Sequence, residues 1–489
     1  MKSLTADADP AVPDPAVQRR TAPARWALFS LALSMLLSSL GVSIANVALP
    51  TLAQAFSVPF HQVQWVVLAY LLASTVLIVS AGRMGDVWGH RRVLLAGILL
   101  FTLASLLCGV APTLGTLIAA RALQGLAAAI LMALTVVLVR QAVPPEKTGS
   151  AMGLLGTMSA VGTALGPSLG GFLIAGPGWR AIFLIMVPLG LLNAVLAQRS
   201  LPRREPATGL AGPVGQGFDA WGTLVLGLTL AAYALAVTTG GGHWGRLNTA
   251  LLFSACLGAG LFVWVQARVA SPLIRLAALR DASLRASLGT NALVSTVMMA
   301  TLVVGPFFLA RALGLNPVLV GIVMSIGPLV SALSGVPAGR LVDRWGAPGG
   351  VATGLVALAA GAFALSVLPA LFGVAGYVAA IALLTPGYQL FQAANNTAVM
   401  MNVPADQRGV ISGLLSLSRN LGLITGASVM GAVFAWAAAS HDMGTAPPDA
   451  VATGMRTTFV VAGVLMIAAL AIFAATARRA VRDTRQGAR

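Results

Sequence analysis

Charge is scarce in this chain. Only 9% of its 489 residues are Asp, Glu, Lys or Arg, against about 25% in a soluble globular domain. So few charges cannot cover a water-facing surface of this size, which excludes a soluble enzyme or binding domain and leaves a lipid bilayer as the natural solvent. Cysteine is scarcer still: Cys108 and Cys256 each sit inside an apolar run, with neither CxxC nor metal-ligand spacing, so no disulfide framework and no metal centre are expected. Acids number 13 against 30 basic residues, a net charge of +17. On a soluble chain that excess would suggest nucleic acid. Here the basic residues occupy short loops between apolar runs, so membrane topology accounts for them and no nucleic-acid partner is expected. No GxxxxGK[ST] loop and no Ser/His/Asp constellation occur in or near the runs, which argues against ATP as fuel, against a cofactor and against an enzyme.

What is abundant is apolar length. Hydrophobic residues make up 58% of the chain and glycines number 54, which suits close helix packing in a bilayer. Apolar stretches of about 20 residues, the span of a membrane helix, fall near 26–49, 62–81, 93–111, 114–140, 149–174, 180–198, 219–239, 247–266, 286–310, 318–338, 350–371, 374–401, 409–437 and 457–477. That count of fourteen predicts an all-α membrane protein with both termini on one side. If that side is the cytoplasm, 24 of the 30 Lys and Arg lie in cytoplasmic segments, four (Arg180, Arg246, Arg311, Arg456) lie outside, and Arg121 and Arg419 lie within runs. So large a bias is the positive-inside signature. Tryptophans divide into inner (Trp26, Trp88, Trp221, Trp264, Trp345) and outer (Trp65, Trp179, Trp244, Trp436) belts, as interfaces require. The expected location is the cell inner (plasma) membrane. Residues 1–25, polar and rich in Pro, Ala and Asp, read as a disordered cytoplasmic tail, and 478–489 as a basic cytoplasmic tail. Neither tail is long enough for a signalling domain, which argues against a sensor.

The chain also repeats itself. VPPEKTG at 143–149 matches VPADQRG at 403–409, and the offset of 260 carries Gly153, Gly162 and Gly166 onto Gly413, Gly422 and Gly426. Gly82, Asp86 and Gly89 in GRMGDVWG share the spacing of Gly339, Asp343 and Gly346 in GRLVDRWG at an offset of 257. Two six-helix halves follow, 26–198 and 286–477, related by pseudo-two-fold symmetry, with two helices inserted in 199–285. Parallel repeats of this kind are a transporter architecture, with substrate between the halves and alternating access by rocking.

GRMGDVWGHRR (Gly82–Arg92) resembles the loop 2–3 signature of the major facilitator superfamily. LGVSIANVALP (Leu40–Pro50), QWVVLAY (Gln64–Tyr70), RALQG (Arg121–Gly125), GTALGPSLGG (Gly162–Gly171), WRAIF (Trp179–Phe183) and FDAWG (Phe218–Gly222) are similar to motifs of its fourteen-helix drug:proton antiporter, multidrug-efflux branch. The resemblance covers nearly all of the chain from about residue 26. It implies the major facilitator fold and export of a small organic substrate, with protons as coupling ion and a monomer as functional unit.

The motif residues also carry physical readings. Glycines at 82, 89, 339 and 346 permit close backbone approach. Asp86 can accept from a helix N-terminus, and Arg91 and Arg92 hold the cytoplasmic face. The resemblance makes this a gate that steadies one conformation; the plain alternative is a positive-inside turn. Gly162, Gly166 and Gly170 recur every four residues and make one flat face, next to Gly171, where another helix can pack; Pro167 removes a hydrogen bond and bends the helix. Arg121 lies deep in its run, where a charge must face a cavity or a partner, with Gln124 one turn on. Its functional reading is proton coupling or substrate contact, and its structural one is an anchor to carbonyls. Tyr70 and Asn46, from the motifs of the second and first runs, are further cavity candidates, as is Arg419, near mid-depth. Gln389, Gln392 and Asn396 share one face, flanked by Tyr388 and Asn395; they form either a substrate stripe or a set of interhelical hydrogen bonds.

One departure stands out. The branch usually carries an acid just after the leucine of the first motif, and here that position is Gly41. Asp7, Asp9 and Asp14 lie in the tail. Asp86, Glu146, Glu205, Asp281, Asp343, Asp406 and Asp483 lie in cytoplasmic loops or at their edges. Asp219 begins a run, and Asp442 and Asp449 lie outside. His61, His90, His243 and His441 are in loops or at helix ends. A proton antiporter needs a group that titrates in its pathway, and arginine stays protonated. Three routes remain: a rim acid such as Asp86, a proton carried by the substrate, or coupling without protons. A cavity with arginines and no acid favours a neutral, zwitterionic or anionic amphiphile over an organic cation. A metabolite facilitator or importer is the alternative, opposed by the export motif.

Overall fold

A computed structural model describes residues 15–143, 148–201, 220–238, 245–268, 281–401, 408–439 and 446–487. Most of the loop pair at 143–149 and 403–409 lies outside them, as do Glu146, Glu205, Asp219 and Asp406. The described chain is helical: α1 (Pro15–Phe56), α2 (Phe60–Val63), α3 (Trp65–Trp88), α4 (His90–Val110), α5 (Leu114–Ala142), α6 (Thr148–Ala175), α7 (Ala181–Leu184), α8 (Met186–Ser200), α9 (Ala220–Thr238), α10 (Arg246–Arg268), α11 (Ala282–Phe307), α12 (Pro317–Met401), α13 (Arg408–Thr425), α14 (Gly431–Ala437) and α15 (Pro448–Gly487). Short π-helical turns at Phe308–Ala312 and Gly426–Met430 extend α11 and join α13 to α14. Twelve stretches among the described residues are long and apolar enough to cross a membrane.

Three boundaries differ from the sequence expectation. α1 begins at Pro15, inside the stretch expected to be disordered, because proline is tolerated in a first helical turn and the Ala, Gln and Arg that follow propagate a helix. At the other end α15 continues to Gly487 through the basic tail. The third difference is α12, whose 85 residues would reach about 130 Å if straight. It is broken at Gly346 (φ 74°) and Gly373 (φ 55°, ψ −129°), backbone settings that side-chain-bearing residues reach only with strain. The resulting segments, 317–345, 347–372 and 374–401, fold back on each other. A β-carbon added at Gly354 would lie 2.7 Å from the Phe391 backbone nitrogen, and one at Gly361 would lie 2.5 Å from Leu384 Cβ. Gly89, which ends α3, takes φ 89°, so the last glycine of both GRMGDVWG and GRLVDRWG makes the same kind of turn. Gly346→Ala is expected to cost about 1–2 kcal/mol, read as a lower thermal midpoint in detergent, whereas Gly339→Ala, at a helical site with open space, should hold or raise it.

The glycine face packs as its spacing predicts, and its partner is α1. A β-carbon at Gly162 would lie 2.6 Å from the Leu36 carbonyl, one at Gly166 2.6 Å from Ser43 Cβ, and one at Gly170 2.6 Å from Val47 Cγ1. Ser43 donates to the Gly162 carbonyl at 3.1 Å. The matching pair at offset 260 makes the matching contact: Gly422 and Gly426 press on the Ala292 and Thr296 carbonyls of α11, and Thr296 donates to the Gly422 carbonyl at 3.1 Å. Pro167 stays within a continuous α6, and its carbonyl approaches Gly321.

α9 lies along α3, tied by Ser80–Thr223 (2.8 Å) near one end and by Trp65 Nε1 to Thr238 (3.1 Å) near the other. Tyr233 donates from α9 to Thr425 of α13 at 3.1 Å. α10 packs on α9, where Gly258 meets Thr229, and turns Phe253, Leu257, Leu261 and Trp264 outward. In a bilayer that face meets lipid.

Candidate functional site

The two ends of the bundle differ. At one end Phe60 is buried between Phe307 (centroids 5.0 Å) and Phe434 (5.6 Å), both edge-to-face, a geometry worth about 0.5–1.5 kcal/mol per pair beyond burial. At the same end Gly171 of α6 meets Gly321 of α12, so close that a β-carbon on Gly171 would overlap the Pro317 carbonyl. The opposite end packs less closely at its glycines. Gly82, Gly156, Gly289, Gly335 and Gly339 have no neighbour for a β-carbon within 4 Å, and Leu333 and Val336 are exposed. The close approach expected at Gly82 and Gly339 is therefore absent in this conformation. Asp343 and Arg92 are exposed. Arg91 donates to the Gln198 carbonyl at 2.6 Å. The Asp86 side chain lies outside the described atoms.

Between α6, α11, α12 and α13 lies a cavity of about 180 Å³. Thr163 reaches it from α6 and Leu423 from α13. Met298, Thr301 and Leu302 come from α11. Segment 317–345 supplies Val323, Met324, Gly327, Pro328 and Ser331, and segment 374–401 supplies Tyr377, Ile381, Thr385 and Tyr388. The lining is thioether, aromatic ring, hydroxyl and hydrocarbon, with no charged side chain.

Part of the predicted polar stripe supports this cavity. Gln389 Nε2 donates to Ser331 Oγ and Gln392 Nε2 donates to Tyr388 Oη at 3.0 Å, so each glutamine holds a lining hydroxyl. Asn396 is exposed, and Asn395 is buried with Nδ2 unpartnered among the described residues. Arg419 shares a face with Leu423, one turn away; its Nε is buried without a hydrogen-bond partner among the described residues.

Arg121, Gln124 and Tyr70 do not line the cavity. Arg121 is 0% exposed. Its Nε donates to the Val66 carbonyl at 2.8 Å, and its Nη1 to the Gly41 carbonyl at 3.0 Å and to Gln124 Oε1. Its guanidinium lies 4.4 Å from the Tyr70 ring centroid. Tyr70 donates to the Ser38 carbonyl at 2.9 Å, and Gln124 donates to Ser105 at 2.8 Å. Here the anchor reading describes the geometry: one planar donor fork ties α1, α3 and α5. Gly41 belongs to the same knot, where a β-carbon would lie 3.3 Å from both Phe101 and the Tyr70 hydroxyl. Asn46 is buried, donating to Val42 O at 3.1 Å, with Oδ1 unpartnered among the described residues. Sequence reasoning missed Met298, Thr301, Met324 and Tyr377. One signal was available for the last: the chain has four tyrosines, and two of them line this cavity.

The chain is similar to proteins of known activity. The multidrug resistance protein Stp of Mycobacterium tuberculosis is 32% identical over 434 residues, covering 87% of this chain and 79% of Stp. The riboflavin transporter RibZ of Clostridioides difficile is 28% identical over 413 residues, covering 84% and 88%. Among solved structures, a point mutant of the nucleoside transporter NupG superposes with a TM-score of 0.67 at 14% identity, covering 92% of this chain and 99% of that one. Residues 31–427 and 286–488 match the sequence profile of the Major Facilitator Superfamily. With its helical bundle, its paired glycine-faced contacts and a cavity among its helices, the chain belongs to that superfamily of membrane transporters.

Proposed function

We propose that the chain is a secondary active exporter of drug-like or endogenous small organic compounds, driven by the proton motive force and working as a monomer by alternating access. In this reading the halves 26–198 and 286–477 rock about the cavity. The segments of α12 count as three spans, so that with the other eleven candidates the chain crosses fourteen times. In this reading the positive-inside rule puts the end with Gly82 and Gly339 on the cytoplasmic side, and the conformation is inward-open. One observation carries the reading: a cavity lined by α11, α12 and α13 of one half and by Thr163 of the other lies in a bundle closed at one end by Gly171–Gly321 and the Phe60 cluster, with open space at Gly82, Gly156, Gly289, Gly335 and Gly339. The relative named for multidrug resistance supports export. The test is a susceptibility panel in an efflux-deficient host, with and without an uncoupler. Expression is expected to raise the tolerated concentration of several uncharged compounds, and the uncoupler to abolish the gain. A gain that survives uncoupling sinks proton drive, and no gain for any compound sinks export.

A second reading, a facilitator or importer of a metabolite, is favoured by the lack of a carboxylate deep in any apolar run and by the riboflavin transporter among the relatives. Uptake into intact cells that persists without a proton gradient would select it.

A further inference from the structure

We propose that the cavity selects an uncharged aromatic ligand through that ligand's hydrogen-bond acceptors, and that Gln389 and Gln392 are positioning residues that aim the Ser331 and Tyr388 hydroxyl protons at it. The proposal names the substrate class of the cavity and rests on the transporter reading above.

Gln392 Nε2 donates to Tyr388 Oη, which fills an acceptor site on the phenol and leaves its O–H as a donor. Gln389 treats Ser331 Oγ the same way. Three of the other four lining hydroxyls are already committed, Thr385 being the fourth. Tyr377 donates to Met324 Sδ at 3.5 Å, Thr301 to the Met298 carbonyl at 2.7 Å, and Thr163 to the Ser159 carbonyl at 2.9 Å. Ser331 and Tyr388 therefore carry the donors that a glutamine directs, and once a ligand displaces water what satisfies such a donor is an acceptor oxygen or nitrogen on the ligand.

Charge and shape narrow the class further. No carboxylate lines the cavity, so an organic cation would lose its water without gaining a counter-charge. The two hydroxyl protons repel it, and Arg419, one turn from Leu423, adds to the positive field. Phenol rings can attract a cation through their faces, which makes the cation the competing occupant to be tested. Met298 and Met324, set among Tyr377 and Tyr388, are adaptable, polarizable partners for flat rings. Enclosed apolar cavities of about 150 Å³ take up benzene, so about 180 Å³ open at one side admits a small fused-ring ligand.

Three probes of one linear three-ring frame separate these possibilities: anthraquinone (two carbonyl acceptors), anthracene (none) and N-methylacridinium (a permanent cation). Tritiated anthraquinone binding to the purified full chain in nanodiscs, corrected with empty discs, is competed by the other two. We expect anthraquinone to compete about tenfold or more better than either. Tyr388→Phe should weaken anthraquinone about three- to tenfold and leave anthracene unchanged. Gln392→Glu is the decisive variant. A carboxylate accepts the Tyr388 proton instead of donating to the phenol, so anthraquinone should weaken and N-methylacridinium should become the stronger competitor. A purely structural glutamine predicts no such inversion. Absence of anthraquinone binding, equal competition by anthracene or the cation in the unaltered chain, or an unchanged ranking in both variants while they elute as single species would each overturn the proposal. The outcome is independent of the susceptibility panel. The expected ranking without export removes the exporter reading and keeps the cavity's chemistry; export without the ranking does the reverse.

Discussion

Replacing Arg121 with alanine is expected to destabilise the folded chain by roughly 3–5 kcal/mol, through a buried void and the loss of charge-assisted hydrogen bonds. The residue is fully enclosed and ties acceptors on three helices, so its removal loosens the knot of α1, α3 and α5. The order of substitutions is as informative as the size. Arg121→Lys keeps the charge without the planar fork and buries an ammonium short of partners, and should melt below Arg121→Met, which fills most of the volume with an apolar chain. Thermal unfolding in detergent measures this, with Arg419→Ala as a milder comparison. Wild-type melting in both the alanine and methionine variants, with transport abolished, would assign Arg121 to the substrate or proton path and overturn the anchor reading.

Gly171→Val is expected to leave insertion intact and lower transport at least about tenfold, because its side chain occupies the space where α6 meets α12. The nearest atoms are backbone: the Pro317 carbonyl, which a β-carbon would overlap, and Gly321 Cα at 3.0 Å from it. Backbone cannot swing aside as a side chain does, so relief comes from parting the two helices. The sealed end should then open. A cysteine placed at buried Val320, in a chain whose Cys108 and Cys256 are replaced by serine, should react faster with a membrane-impermeant maleimide when Gly171 is valine. Unchanged labelling and unchanged transport would show that the contact does not hold the seal. Gly162→Ala makes the contrast: its β-carbon meets the Leu36 carbonyl within the α1–α6 pair, so it should lower the melting midpoint rather than open the sealed end.

Much of this architecture was legible in the chain because lipid leaves few solutions. Apolar runs had to be helices, and glycines at every fourth position of α6 had to lie flat against something. The repeat aligned Gly162 with Gly422, and the structure adds that both carbonyls accept matching hydrogen bonds, from Ser43 and Thr296. Local sequence could not tell where α12 stays helical between runs, because 339–345 continues a helix until Gly346 alone breaks it. Nor could it give Arg121 its destination. Depth shows that a charge needs partners, and those partners are the carbonyls of Gly41 and Val66, which carry no side-chain signature. The stripe Gln389–Gln392 was legible as a face, and one of its two readings, hydrogen bonding between helices, coincides with support of the cavity through Ser331. Met298, Thr301 and Tyr377 stayed hidden because within an apolar run a cavity-lining residue and a packed one look alike until the neighbouring helices are placed.

The clamped arginine has an electrical consequence. One elementary charge carried across the membrane exchanges about 2.3 kcal/mol with each 100 mV of potential. Arg121 is fastened by α1, α3 and α5 of a single bundle, so it crosses only the fraction of the field through which that bundle itself swings. An uncharged passenger adds nothing to the displaced charge. These parts add little voltage dependence of their own, so the current that accompanies transport reports on the coupling ion and on Arg419 rather than on the cargo.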